Sequence, residues 1–292
     1  MFAIGYFFLM KIFTTAEEVS NFLEPLKTST SSFGFVPTMG ALHRGHVSLI
    51  KKACKENNIV IVSIYVNPTQ FDKKNDLNKY PKNLKKDINI LCSLNEDKVV
   101  LFTPDNKEIY GARTKKEKFS FGSLENKLEG KFRPGHFEGV ATVVKKLLKI
   151  IRPDKAYFGE KDYQQLLIVK KLVVAMGART LIVSCPIFRE TNGLAMSSRN
   201  SLLTKAEIQY ASKIYNVLKI VKEKFKESSL EIIKKWVLNE FENDTLFKLE
   251  YFEITDSLNL EIATSVNHSK KYRAFISGYI RNVRLIDNIA LN

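Results

Sequence analysis

"FGFVPTMGALHRGHVSLIKKACKENNIVIVSIYV", residues Phe33 to Val66, is the stretch that decides the fold. Ser32 to Val36 reads as a strand. A turn carrying Pro37, Gly40, Gly45 and two histidines follows, and then Val47, Ile50 and Cys54 recur at helical spacing over residues 46–57. The stretch ends in Ile59 to Val66, a β-branched run with no polar alternation beyond Ser63. Such a run predicts a strand buried on both faces of a parallel sheet. Strand, turn, helix and buried strand make one βαβ unit, for which a right-handed crossover is the default.

The alternation continues downstream. Leu84, Ile88 and Leu91 mark a helix after Pro81, and "KVVLFTP" a strand. Val140, Val143, Val144, Leu147, Leu148 and Ile151 mark a helix that stops before Pro153, and "KAYFG" is the next strand. A helix over 162–176 and a strand over 180–185 complete the series. The expected fold is α/β, a Rossmann-like doubly wound parallel sheet. Upstream, "MKIFTTAEEVSNFL" from Met10 reads as a short strand and a Thr-capped helix with Glu17 and Glu18 in its first turn. Residues 1–9 read as an extension outside the fold, and either Met1 or Met10 can be the start.

After Arg189 the texture changes. Helices are expected over about 205–224 and 229–242, then runs such as "KLEYFEI" and "YRAFISGYI" with the partial alternation of antiparallel strands. We therefore expect a first domain over 1–187 and a smaller α+β domain over 188–292, with a short junction whose cleft is functional.

The composition is that of a globular protein: 292 residues, 45% apolar and 26% charged. Forty-six basic against thirty-one acidic side chains give a formal charge of +15. The excess is spread along the chain without an interleaved aromatic stripe, so it reads as a Lys-rich surface rather than a nucleic-acid track. Cys54, Cys92 and Cys185 are odd in number and far apart, which predicts unpaired thiols in the core. The uncharged opening "MFAIGYFFLM" is too short to span a bilayer.

Ligands of open α/β sheets sit beyond the carboxyl ends of the strands. The turn at Met39 to His46 lies there. Gly40 allows close backbone approach, the free amides of the following helix suit anionic oxygens, and His43 and His46 can donate to phosphate. "GEKDYQQL", Gly159 to Leu166, places Lys161 and Asp162 at another strand's end. "GLAMSSRN", Gly193 to Asn200, offers two hydroxyls and one permanent charge. In "VNPTQF", Asn67 and Gln70 are neutral groups able to read hydroxyls or a carboxylate, and "LEGKFRPGHFEGV" adds Arg133 and His136. Taken singly, each of the last two stretches reads equally well as a capped loop. No Cys or acidic cluster at ligand spacing accompanies the histidines, which argues against zinc.

Taken together, "PTMGALHRGH", "NPTQF" with "YPK", "RPGHFEGVATVV", "FGEKDYQQL", "GLAMSSRN" and the terminal "RLIDN" resemble, in order and from Met10 onward, the pantoate–β-alanine ligases. These belong to the nucleotidyltransferase superfamily with a histidine-bearing phosphate turn. The resemblance implies that ATP and (R)-pantoate give pantoyl adenylate and pyrophosphate, after which β-alanine displaces AMP. Mg²⁺ accompanies ATP, and the motifs assign it no ligand. By resemblance, ATP binds at Met39, Gly40, Ala41, Leu42, His43, Arg44, Gly45 and His46, at Gly159, Glu160, Lys161 and Asp162, at Phe188, and at Met196, Ser197, Ser198 and Arg199. The catalytic set is His46 as proton donor with His43, Lys161 and Arg199. Gln70 and Gln165 take pantoate, Gln70 also β-alanine, and Asn67, Arg133 and His136 are further substrate candidates. The family implies a cytoplasmic homodimer that needs neither membrane nor nucleic acid. Asn75 and Lys82 depart from the family pattern, which usually has an acid and an arginine there.

Two other readings remain at this stage. A nucleotidyltransferase would stop at an adenylylated product, and a basic nucleic-acid module would bind RNA without turning over ATP. Gln70 and Gln165 favour the ligase over the first; the lack of a basic aromatic stripe disfavours the second.

Overall fold

Short β-branched strands alternate with amphipathic helices through the first two-thirds of the chain. The computed structural model describes residues 10–72 and 74–292; the expected extension at 1–9 lies outside them. The elements are β1 (Lys11–Phe13), α1 (Ala16–Leu23), β2 (Phe33–Thr38), α2 (Arg44–Glu56), β3 (Ile59–Ile64), α3 (Lys74–Lys79), α4 (Leu84–Cys92), β4 (Val99–Phe102) and α5 (Asn106–Tyr110). Then come α6 (Leu128–Phe132), α7 (His136–Ile151), β5 (Lys155–Gly159), α8 (Tyr163–Ala175) and β6 (Leu181–Cys185). The last third holds α9 (Lys205–Ala211), α10 (Lys213–Lys224), α11 (Leu230–Glu242), β7 (Phe247–Asp256), β8 (Tyr272–Ile280) and β9 (Val283–Ala290).

The chain divides into two compact units. One holds residues up to Phe119 with Glu138–Phe158 and Leu172–Cys185; the other holds Ser120–Phe137, Gly159–Lys171 and Pro186–Asn292. Segments 120–137 and 159–171 thus group with the later residues, although they precede the change of texture at 187/188. Side chains of β9 account for this: Arg284 holds Glu129, and Asn288 holds the carbonyls of Glu160 and Lys161.

In the first unit a six-stranded parallel sheet runs in the order β1-β4-β3-β2-β5-β6. The sheet is Rossmann-like, as its alternation of strand and helix predicts. Chain order reverses at β2, which pairs with both β3 and β5. Ligand crevices open at such a reversal, outside the carboxyl ends of the strands. Thr38 pairs with Ile64, so β2 and β3 end level there. Val36, Val60, Val62 and Leu101 pack with Ile50, Ala53 and Cys54 of α2 in one apolar core. Thr15 caps α1, as the sequence predicts, and Glu18 returns a bond to the cap backbone, which makes the cap reciprocal.

In the second unit β7, β8 and β9 form an antiparallel sheet, and α10 and α11 bury Val217, Leu218, Ile233 and Val237 with residues of that sheet. The helix expected over 205–224 is two helices. The Ser212 hydroxyl bonds the Gln209 carbonyl at the break, a local alternative to the helical ladder. One cysteine departs from the core reading: Cys54 and Cys185 are buried, but Cys92 ends α4 and is exposed. No helix among the described residues is long and apolar enough to cross a membrane.

Candidate active site

The turn after β2 is built around its histidines. His43 is the N-cap of α2, and its Nδ1 accepts from the Gly45 N–H at 3.1 Å. His46 Nδ1 accepts in turn from the His43 N–H at 3.3 Å, which closes a reciprocal cap. A ring nitrogen that accepts carries no hydrogen, so each neutral imidazole holds its proton on Nε2. The two ring centroids lie 4.0 Å apart. The sequence reading expected free amides here for an anion. Two of them, at His43 and Gly45, are bonded to imidazole instead, because no Ser, Thr, Asp or Asn stands at the cap. The Leu42 side chain belongs to the core, so only its backbone can serve a ligand.

Asp87, on α4, was not among the residues singled out by sequence. It is 2% exposed, and its two oxygens accept from the Ala41 N–H at 2.9 Å and the Leu42 N–H at 2.7 Å. Gly40 and Ala41 lie consecutively in the left-handed region, with φ of 76° and 48°. That conformation is unfavourable for alanine and persists only where its surroundings enforce it. A Cβ on Gly40 would stand 2.9 Å from Asp87 Oδ2. Burial pushes the Asp87 carboxyl above its ordinary value, and the two amide bonds oppose that shift. Asp87→Asn turns one acceptor into a donor facing an N–H. We expect a roughly thirtyfold fall in kcat/KM, from the loss of a charge-assisted backbone bond and a displaced turn. A kinetic value within twofold of wild type would show that the turn holds its shape without Asp87.

Gln70 ends a short 3-10 turn, Pro68–Gln70, capped by Asn67. Asn67 is 1% exposed and fully engaged: its amide donates to Gln70 Oε1 and to the Gly139 carbonyl, both at 3.1 Å, and its oxygen accepts from Thr69 and Tyr110. Asn67 therefore orients the Gln70 amide. The approach of α7 depends on Gly139, where a Cβ would fall 2.2 Å from the Thr69 carbonyl oxygen.

In the second unit, one pocket gathers several residues singled out by sequence: Arg133, His136, Lys161, Asp162 and Gln165, with Tyr251 also in its lining. Lys161 Nζ stands 3.6 Å from Asp162 Oδ1, and Arg133 Nη1 lies 3.2 Å from His136 Nε2. Gln164 is buried, donating to the carbonyls of Leu124 and Lys127, while Gln165 is half-buried at the pocket. Beneath Arg133 lies Glu129, which accepts from both Nη atoms of Arg284 and from the Tyr251 hydroxyl. Met196 to Arg199 form a turn of the same unit: the Met196 N–H bonds the Phe188 carbonyl, and Ser197 caps Arg199.

Comparison with known proteins places these motifs in a family. The model of pantoate-beta-alanine ligase matches residues 11–290. The chain belongs to the pantoate–β-alanine ligase family. It is 49% identical to a pantothenate synthetase of Flavobacterium psychrophilum over 97% of this chain and all of that one, and 48% identical to that of Christiangramia forsetii with the same coverage. The crystal structure of pantothenate synthetase from Thermus thermophilus matches with a TM-score of 0.87 at 35% identity, covering 97% of this chain and 99% of that one. A pantoate-beta-alanine ligase of Francisella tularensis, complexed with beta-gamma ATP and beta-alanine, matches with a TM-score of 0.81 at 43% identity, over 97% and 98%. The protein is a ligase of this family, and the likeness extends over both units.

Proposed function

We propose that the protein condenses (R)-pantoate with β-alanine at the expense of ATP, by way of pantoyl adenylate, releasing pyrophosphate and AMP. The observation that carries this reading is a family likeness running unbroken from residue 11 to 290. It takes in the histidine cap, the Asn67–Gln70 turn and the pocket of Lys161 and Gln165 alike.

The pantoate carboxylate attacks the α-phosphorus in line, so the site supplies alignment and charge compensation rather than a covalent nucleophile. His46 donates from Nε2 to the departing pyrophosphate, with His43, Lys161 and Arg199 sharing the developing charge. Met39 to His46, Gly159 to Asp162, Phe188 and Met196 to Arg199 hold ATP. Phe188, whose carbonyl bonds the Met196 N–H, meets the adenine through its backbone. Gln70 and Gln165 orient pantoate, and Gln70 then meets β-alanine. Asn67 serves through Gln70, while Arg133 and His136 line the pocket as further substrate contacts.

Mg²⁺ enters with ATP as part of the substrate. Among the described residues no group of three or more His, Cys, Asp and Glu is disposed to hold a metal. An ion carried by phosphates requires only one or two protein carboxylates, and Asp162, half-exposed beside Lys161, suits that part. The enzyme works as a cytoplasmic homodimer and requires neither nucleic acid nor membrane.

Omitting substrates one at a time tests the reading. AMP and pyrophosphate should form only when ATP and pantoate are both present, and an amide product only when β-alanine is added. ATP turnover indifferent to pantoate would exclude this activity; adenylate formation without amide would instead make the protein a nucleotidyltransferase.

A further inference from the structure

"RLIDN", Arg284 to Asn288 on β9, is part of the family likeness but has no task in the reaction as proposed. Its polar side chains each reach a different segment of the second unit. Arg284 holds Glu129, Asp287 takes the guanidinium of Arg189 at 2.6 and 3.0 Å, and Asn288 reaches the turn that carries Lys161. The last of these contacts carries an inference.

Asn288 is 1% exposed, and its Nδ2 donates to two successive carbonyls, those of Glu160 and Lys161, each at 2.9 Å. Its Oδ1 accepts from Arg273 Nη1. The amide can take only this orientation, because a guanidinium has no acceptor and a carbonyl has no donor. Arg273 also meets the turn directly, with Nη2 3.2 Å from Glu160 Oε2, and its guanidinium packs 4.0 Å over the ring of Tyr163, the first residue of α8. Glu160 to Asp162 form a single 3-10 turn. A turn that short has few hydrogen bonds of its own to fix its orientation.

The geometry points to Asn288 as the positioning residue for Lys161: its two bonds set the backbone from which the lysine reaches the phosphates, and Arg273 fixes the amide that makes them. This rests on the proposed role of Lys161. A long side chain transmits any rotation of its backbone to its tip, and a misplacement of about 1 Å can cost about a hundredfold in rate.

Asn288→Asp is the sharpest test. The substitution keeps the shape and the bond from Arg273, removes both donors, and sets a carboxylate oxygen against two carbonyls. Pantoate-dependent pyrophosphate release is followed in single turnover with enzyme in excess, so that slow variants remain measurable. The rate should fall at least tenfold in the otherwise wild-type enzyme and less than twofold in a Lys161→Ala background, because the brace then has nothing to position. A rate within twofold of wild type, or an equal fold-loss in both backgrounds, overturns the proposal and leaves Asn288 a residue of general packing. Should Asn288→Asp fail to fold, Arg273→Lys, which keeps the charge beside Glu160 but loses the forked contact, must show the same dependence on Lys161. Additive losses there overturn the proposal equally. Failure of the functional reading looks different: the wild-type protein itself would then release no pyrophosphate in response to pantoate.

Discussion

Replacing His46 with alanine is expected to slow adenylate formation about a thousandfold while changing ATP affinity less than about threefold, as for a donor that acts on charge present chiefly in the transition state. His46 Nδ1 is occupied by the His43 N–H, so the neutral ring presents Nε2–H as a hydrogen-bond donor to the charge that builds on the leaving oxygen. The cap itself loses little, since a 3.3 Å bond is replaced by water at a half-buried amide. His43→Ala removes the N-cap acceptor of α2, so part of its loss should show as stability, on the order of 1 kcal/mol. Pyrophosphate release in a single turnover, measured beside equilibrium ATP binding, separates the two quantities. Equal losses in rate and in ATP affinity would make His46 a binding group and move the proton donor elsewhere.

What the sequence revealed and what it hid divide along physical lines. Local signals were legible: the apolar run of β3, the Thr15 cap and the glycine turn after β2 are each decided within a few residues. Partners far apart in the chain were not. Asp87 braces amides 45 and 46 residues away, Glu129 meets Arg284 across 155, and Asn288 holds carbonyls 127 and 128 residues back. Two buried acids nevertheless left a visible trace. Asp87 stands one turn before Leu91 on the apolar face of α4, and those two are its buried residues, so it is an acid on the inward side of the helix. Asp287 alternates in phase with Leu285, so it is a charge on the inward face of a strand. A charge on a face that must be buried announces a partner without naming it. The histidines show the reverse limit, since their type and spacing marked the turn but not which ring nitrogen the cap would use.

Glu129→Gln is expected to destabilise the second unit by about 3 kcal/mol. Glu129 and Glu250 face Arg284, each with an oxygen 2.5 Å from the guanidinium, and Arg133 stands 3.9 Å from Glu129, so two carboxylates balance two guanidinium groups. Removing one carboxylate leaves a net positive charge in a place nearly without water, where Glu129 itself is 8% exposed. Burial alone would raise the Glu129 carboxyl, but the bonds and charge of Arg284, then Arg133 and Tyr251, hold it down at about 2 instead of 4.5. Arg284 shifts the opposite way, as a partner should. Because the folded value lies below the unfolded one, the stabilisation is complete above about pH 4.5 and is lost as pH falls toward 2. The interval corresponds to about 3 kcal/mol, similar to the loss expected from the substitution. Trp236, the single tryptophan of the chain, packs against the core of the same unit, so its fluorescence reports the unfolding that matters. Denaturant titrations between pH 2 and pH 7 should show wild-type stability falling more steeply below pH 4.5 than that of Glu129→Gln, by up to one proton's worth of slope. Asp244, also held at about 2, titrates in both proteins and cancels in the comparison. Parallel curves would show that the carboxyl of Glu129 is not held ionised by its arginines, and that its place beneath Arg133 is one of shape alone.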